Sequence, residues 1–184
     1  MTRAVLTVYT VGHSTRALGE FVALLRHYRI EVLVDVRTFP SSRRFPHFNQ
    51  VALRESLPGE GIDYLWLKEL GGRRHGPPAE DSPNLGLSTP GFRNYADHML
   101  SAEFQTALAR LRETASRRRL ALVCAERLYW RCHRRLISDY LTAQGDTVLH
   151  IDSAARLLPH RLTPGAHTAD GLLTYPGEKQ LFGS

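Results

Sequence analysis

Residues 31–37 read Glu-Val-Leu-Val-Asp-Val-Arg and residues 120–124 read Leu-Ala-Leu-Val-Cys. Each is an apolar, β-branched run too short for a helix, and each ends in a chemically active side chain. That is the pattern of a strand buried on both faces of a parallel sheet. Working outward, Ala4 to Val11 (AVLTVYTV) is a third such run. It is followed by Gly-His-Ser and then by Leu18, Phe21, Val22, Leu25 and Tyr28 on one helical face, with Ser14 or Thr15 as the natural N-cap. Strand, helix and strand in succession imply a right-handed parallel unit.

Residues 38–49 (TFPSSRRFPHFN) carry two prolines and read as a loop crossing the sheet edge, followed by a short helix at 51–57 and a strand at 62–67 (IDYLWL). Gly71 and Gly72 open a second loop that runs to about Pro90 and suits a functional or disordered segment. Residues 92–118 read as helix, broken near Ser101, with a stripe of Phe104, Leu108 and Leu111. A helix over 132–143 buries Leu136, Ile137, Tyr140 and Leu141 and ends at Gly145 in the left-handed position. Residues 147–151 make a fifth strand. The expected architecture is α/β: a single compact domain with a mostly parallel sheet of about five strands flanked by helices. The catalytic-type domain is placed at residues 1–160 and a loosely packed C-terminal arm at 161–184.

Composition narrows the classes. The 184 residues suit one domain, and 42% hydrophobic with 23% charged residues exclude a disordered or fibrous chain. No apolar run is long enough for a bilayer and the N-terminal residues do not read as a signal peptide, so no membrane partner and a cytoplasmic location are expected. Two cysteines are too few for a disulfide framework. Of 24 basic residues only Lys68 and Lys179 are lysine. This arginine bias suits planar, bidentate grip on phosphate or carboxylate.

Ligands of open parallel sheets bind beyond the carboxyl ends of the strands. That rule collects His13 and Ser14 after the first strand and Asp35, Arg37, Ser41 and Arg43 after the second. It adds Cys124 and Glu126 after the fourth, with Cys132, His133 and Arg134 at the start of the following helix. Asp35, Glu126, Cys124, His133 and His13 are the candidates for catalysis: carboxylates to move protons, a thiol as nucleophile, imidazoles as shuttles. Ser14, Arg37, Ser41, Arg43, Gly71, Gly72, Arg127 and Arg134 are the candidates for binding substrate. Asp35 has a plainer alternative as the ion-pair partner of Arg37 or Arg134, and Glu126 as a cap for N–H groups of the following helix.

The spacing C-x7-C-H matches no compact zinc motif. Cys132 and His133, adjacent on a helix, point about 100° apart. No metal and no other cofactor is therefore expected.

Four blocks taken together resemble the family called domain of unknown function 488: TVGHSTRALGEFVALL, LVDVRTFPSSRRFPHFN, GIDYLWLKELGGRR and LVCAERLYWRCHRRLISDYL. The resemblance implies a compact α/β fold and a site built from these blocks, with Gly71 and Gly72 among its motif positions, without supplying a reaction. A narrower likeness is to the rhodanese fold, in which an Asp-x-Arg and a cysteine share the catalytic edge. The chain departs from that plan because Cys124 is followed by Ala-Glu-Arg-Leu-Tyr-Trp-Arg, with no glycine to form a main-chain cradle.

The leading functional expectation is an enzyme acting on a nucleotide or nucleic acid, hydrolytic or directed at a glycosidic bond. Arginines would hold phosphate, and Phe45, Phe48, Tyr129 and Trp130 would stack on bases. The alternatives are cysteine-dependent transfer through Cys124, of rhodanese or phosphatase type, and a non-catalytic nucleic-acid-binding module. Gln180-Leu181-Phe182 near the C-terminus resembles part of the short motif by which bacterial proteins hold the sliding clamp, a further expected partner.

Overall fold

The computed structural model describes residues 4–77 and 79–177. The elements are β1 (Thr7–Gly12), α1 (Leu18–His27), β2 (Val32–Asp35), α2 (Gln50–Ser56), β3 (Asp63–Trp66), α3 (Pro90–Met99) and α4 (Ala102–Arg117). They continue with β4 (Leu120–Cys124), α5 (Arg134–Ala143), β5 (Thr147–Ser153), β6 (Arg156–Pro159), β7 (His167–Ala169) and β8 (Leu172–Thr174). One six-stranded sheet runs in the order β3-β2-β4-β1-β5-β6, and β7 pairs with β8 separately. The first five strands are parallel and β6 is antiparallel to β5. The sequence reading thus found the five parallel strands and missed the sixth, whose four residues end in proline and carry no alternation.

Period-two side-chain alternation explains why helices cover both faces. Val32 and Val34 of β2 and Leu120 and Leu122 of β4 pack with Tyr95, Phe104, Leu111, Leu136 and Leu141 from α3, α4 and α5. Leu33, Ala121 and Val123, on the other face, pack with Phe21 and Leu25 of α1, Leu53 of α2, and Phe48. α1 begins without the serine or threonine cap expected of it: its N-cap is Ala17, with no side-chain bond. Ser14 is instead in the left-handed region, φ 53°, where the chain turns away from β1. Ser101 does cap α4, accepting from the Phe104 N–H, and Gly145 takes φ 88° after α5.

The segment expected as a loose arm is anchored at residues 173–175. Leu173 and Tyr175 are buried in the core beside α5, and the Tyr175 hydroxyl donates to Asp139 at 2.8 Å. The loop before Pro90 is pinned as well, because Asn84 donates to Asp97 and accepts from the Tyr175 N–H. No helix among the described residues is long and apolar enough to cross a membrane. Gln180-Leu181-Phe182 lies outside the described residues.

Candidate functional site

Parallel pairing aligns the strand ends and so gathers the chemistry. Gly12 is in register with Cys124, and Asp35 with Val123. Beyond them the His13 N–H donates to the Cys124 carbonyl at 2.9 Å and the Ser14 N–H to the Ala125 carbonyl at 3.0 Å. A Cβ at Gly12 would lie 2.1 Å from the Glu126 carbonyl oxygen. Only glycine lets the loop after β4 cross here.

Asp35 is closed off. It is fully buried and accepts from the Arg37 backbone N–H (3.0 Å), Nε (2.9 Å) and Nη2 (2.5 Å), and from the Tyr64 hydroxyl (2.7 Å). Burial and then the neighbouring Asp35 push the Tyr64 phenol up, so it stays a donor. Asp35 is thus the ion-pair partner of Arg37, the plainer of its two expected roles. Arg37 also donates to the Phe48 carbonyl at 2.8 Å and contacts His13 Nε2 at 3.3 Å.

His13 is buried and stacked on Phe48, with ring centroids 4.2 Å apart. Burial and then Arg37 lower its pKa to about 4, so near neutrality it is an uncharged brace for Arg37 rather than a proton shuttle. Phe48, expected as an exposed stacking surface, is fully buried in the core around α1. Tyr129 is likewise engaged, lying on His150 at 3.5 Å, whereas Trp130 is exposed.

Cys124, Cys132 and His133 come together, and here the expectation from helical geometry fails. α5 starts only at Arg134. A 3-10 turn at Tyr129–Arg131 leaves Cys132 extended, φ −126° and ψ 150°, so Cys132 and His133 do not diverge on a helix. The two sulfurs and His133 Nδ1 all lie within 4.8 Å of one another. Cys132 Sγ is 3.5 Å and Cys124 Sγ 4.0 Å from that nitrogen.

His133 Nε2 meets the Val36 carbonyl at 2.8 Å. A carbonyl can only accept, so Nε2 carries the proton and Nδ1 presents a lone pair to the sulfurs. A Cβ on Gly72 would lie 2.3 Å from the imidazole, which is why the loop after β3 has glycine there. The Cys132 thiol is pulled well below its ordinary range, first by its bond with Cys124 and then by His133 and Arg134, against burial. The bond with Cys132 and burial push the Cys124 thiol up.

Behind the thiols, Arg134 is 1% exposed. It donates to the Thr10 hydroxyl (3.3 Å) and to the Glu126 carbonyl (2.5 Å), and its Nε has no acceptor among the described residues. In front lies a cleft of about 580 Å³ lined by Arg37, Phe39, Gly72, Arg73, Phe92, Glu126 and Arg131 together with the three clustered residues. Glu126 is half-buried and caps the Leu128 N–H at 3.1 Å. A larger cleft of about 640 Å³ opens beside α1, but its cations are satisfied: Arg127 pairs with Asp152 at 3.1 Å and Arg16 donates to the Asp152 carbonyl at 2.7 Å. Ser14 and Ser41 line a third depression, where Arg44 rather than Arg43 reaches the site. Gly71 packs against Thr38 without lining any of the three.

Sequence reasoning missed Arg131 and the 63% exposed Phe39 at the cleft's lip. It also missed a buried chain of hydrogen bonds running from Arg134 through the Thr10 hydroxyl and His150 (2.6 Å) to His160 (2.9 Å) and Asp139 (2.8 Å). Asp139 on the apolar face of its helix was the available signal. Burial, then His160 and Arg134, lower the His150 pKa to about 2.

A pH dependence follows. The unfolded chain protonates both histidines near pH 6.5 whereas the folded chain resists, so protons favour unfolding. Stability should be full above pH 6.5 and fall by about 2–4 kcal/mol by pH 5 in urea melts. The groups facing His150 are Thr10, Tyr129, His160, Arg134 and Cys132; those facing His13 are Arg37, Asp35, His47 and Phe48. A flat profile over that range contradicts burial of neutral imidazoles.

Fold and site together define an α/β domain whose sheet carries, at its carboxyl edge, a dithiol–imidazole cluster behind a cleft rimmed with arginine. The chain belongs to the family described as domain of unknown function DUF488, whose model matches residues 17–141. No curated protein and no solved structure matches the chain. The matched span holds Asp35, Arg37, Gly72, Cys124, Cys132, His133 and Arg134, whereas His13 precedes it and His150 and His160 follow it.

Proposed function

We propose that the chain is an enzyme acting on a phosphate-bearing substrate, a nucleotide or nucleic acid, held in the cleft before Cys124, Cys132 and His133. The observation that carries this reading is the cleft's charge. Arg73 and Arg131 line it, and neither makes an ion pair among the described residues, while Glu126 is its one carboxylate. Unpaired guanidinium groups favour phosphate, and exposed Phe39, with the Arg73 guanidinium 6.0 Å from its ring centre, offers a base a stacking surface.

With Asp35 closed off, a two-carboxylate glycosidic mechanism has only Glu126 to draw on, so the reacting groups fall to the thiol–imidazole cluster. Cysteine-dependent transfer is favoured by the 3.5 Å contact of Cys132 with His133, which makes Cys132 rather than Cys124 the thiol nearer a base.

Binding of short single- and double-stranded DNA and RNA, and of nucleotides, across a salt series tests the reading. Affinity should fall steeply with salt, and Arg131→Ala and Arg73→Ala should each weaken it about tenfold and flatten the salt slope by nearly one. Arg118→Ala is the control, because Arg118 pairs with Asp63 at the opposite, amino edge of the sheet. Affinity no greater than that of an unrelated protein of equal charge, or equal losses in the control, excludes this substrate class. Binding that persists without turnover of any ligand leaves a non-catalytic module.

A further inference from the structure

We infer that Cys124, Cys132 and His133 form a binding site for a thiophilic divalent cation, zinc by preference, with one coordination position open toward the arginine-rimmed cleft. This deepens the functional reading above and rests on it for the identity of the reaction site.

Four observations carry it. First, the donor set is two sulfurs and one imidazole nitrogen, which suits zinc. Second, the spacing fits. Zinc–sulfur bonds of about 2.3 Å and zinc–nitrogen bonds of about 2.0 Å in a tetrahedron separate the ligand atoms by roughly 3.5–3.8 Å. Here Nδ1 is 3.5 and 4.0 Å from the two sulfurs and all three atoms lie within 4.8 Å of one another, so an ion fits once side-chain rotations draw the ligand atoms together by up to about 1 Å. Third, the imidazole is already set as a ligand. Nε2–H is committed to the Val36 carbonyl, the arrangement that metal-bound histidines commonly show, and Gly72 leaves room for the ring in that orientation.

Fourth, a buried cation stands behind the sulfurs. Arg134 is a buried cation whose acceptors are a hydroxyl and main-chain carbonyls, with Nε unpartnered, and its charge acts on both sulfurs. Metal binding requires deprotonated thiols, and a buried guanidinium beside them offsets the negative charge that form brings.

Three protein ligands distinguish this site from a closed structural centre, which takes four. All three line the cleft, so the fourth position faces the space shared with Arg73 and Arg131. A bound cation would supply a Lewis acid there, able to take water or a phosphate oxygen.

The test uses the full chain, purified under reductant. Elemental analysis should give about one zinc per chain, and the protein stripped by a chelator and refilled with Co²⁺ should show the thiolate-to-cobalt absorption and visible bands of a tetrahedral site. Cys132→Ser and His133→Ala should each lose stoichiometric metal. If either fails to fold, the Co²⁺ titration of the stripped wild type decides alone. A folded, reduced wild type that shows no cobalt–thiolate absorption overturns the inference, as does a Cys124–Cys132 disulfide that survives reductant. Metal binding without any phosphate ligand sinks the functional reading and leaves the site. Salt-dependent, Arg131-dependent binding by a chain that takes no metal does the reverse.

Discussion

Asp35→Ala unfolds at a markedly lower urea concentration than the wild type, with a loss of about 3–5 kcal/mol, because it strands a buried cation. Asp35 is 0% and Arg37 6% exposed, so water cannot replace the carboxylate. The substitution removes the acceptor for Arg37 Nε and Nη2, for the Arg37 backbone N–H and for the Tyr64 hydroxyl. Asp35→Asn keeps one acceptor oxygen and loses the charge, and should fall between wild type and alanine. The decisive comparison is the double variant Asp35→Leu with Arg37→Met. Removing both charges should recover much of the loss, whereas damage to packing alone would add to it. A cost below about 1 kcal/mol for Asp35→Ala would mean that the pair is loosely held. It would return Asp35 to the list of groups able to carry a proton.

That outcome bears on what the sequence could disclose. Asp35, Arg37, Cys124 and His133 were legible as neighbours because buried parallel strands of a few residues can end only at one edge of the sheet. What each residue does there was not legible. A carboxylate two residues before an arginine reads equally as base or as ion pair, and the choice depends on Tyr64 and Phe48, which arrive from other parts of the chain. The meeting of Cys132 with His133 was misread for a local reason: helical periodicity was extended over two residues that a 3-10 turn holds outside the helix. Loop arginines follow no period at all. Arg43 was expected at the site while Arg44 and Arg131 line its clefts, and only loop geometry decides which guanidinium groups face inward.

The same limit hid the polar chain behind the site, whose largest test is Asp139→Ala. Asp139 is fully buried and accepts from His160 Nε2, the Thr163 N–H and the Tyr175 hydroxyl, each at 2.8 Å. The alanine leaves two buried donors and the half-buried Thr163 N–H without a partner, at about 1–3 kcal/mol for each buried one, and an expected total of about 3–5 kcal/mol once the chain relaxes. Relaxation has a direction. Tyr175 ties the strand pair β7–β8 to the core and hands its N–H to Asn84, so the C-terminal segment and the loop before α3 should loosen together. Hydrogen exchange should then show lost protection at Thr163 and at Tyr175, with the amides of β1 and β4 unchanged. Tyr175→Phe removes one bond of the three and should cost about 1 kcal/mol. Because His150 links His160 to Thr10, and Thr10 meets Arg134, the alanine variant should also disturb the environment of the thiols. In Asp139→Ala the rate of Cys132 alkylation should therefore shift, whereas in Tyr175→Phe it should hold. Loosening confined to the C-terminal segment, with alkylation unchanged, would show that the polar chain anchors the fold without reaching the site.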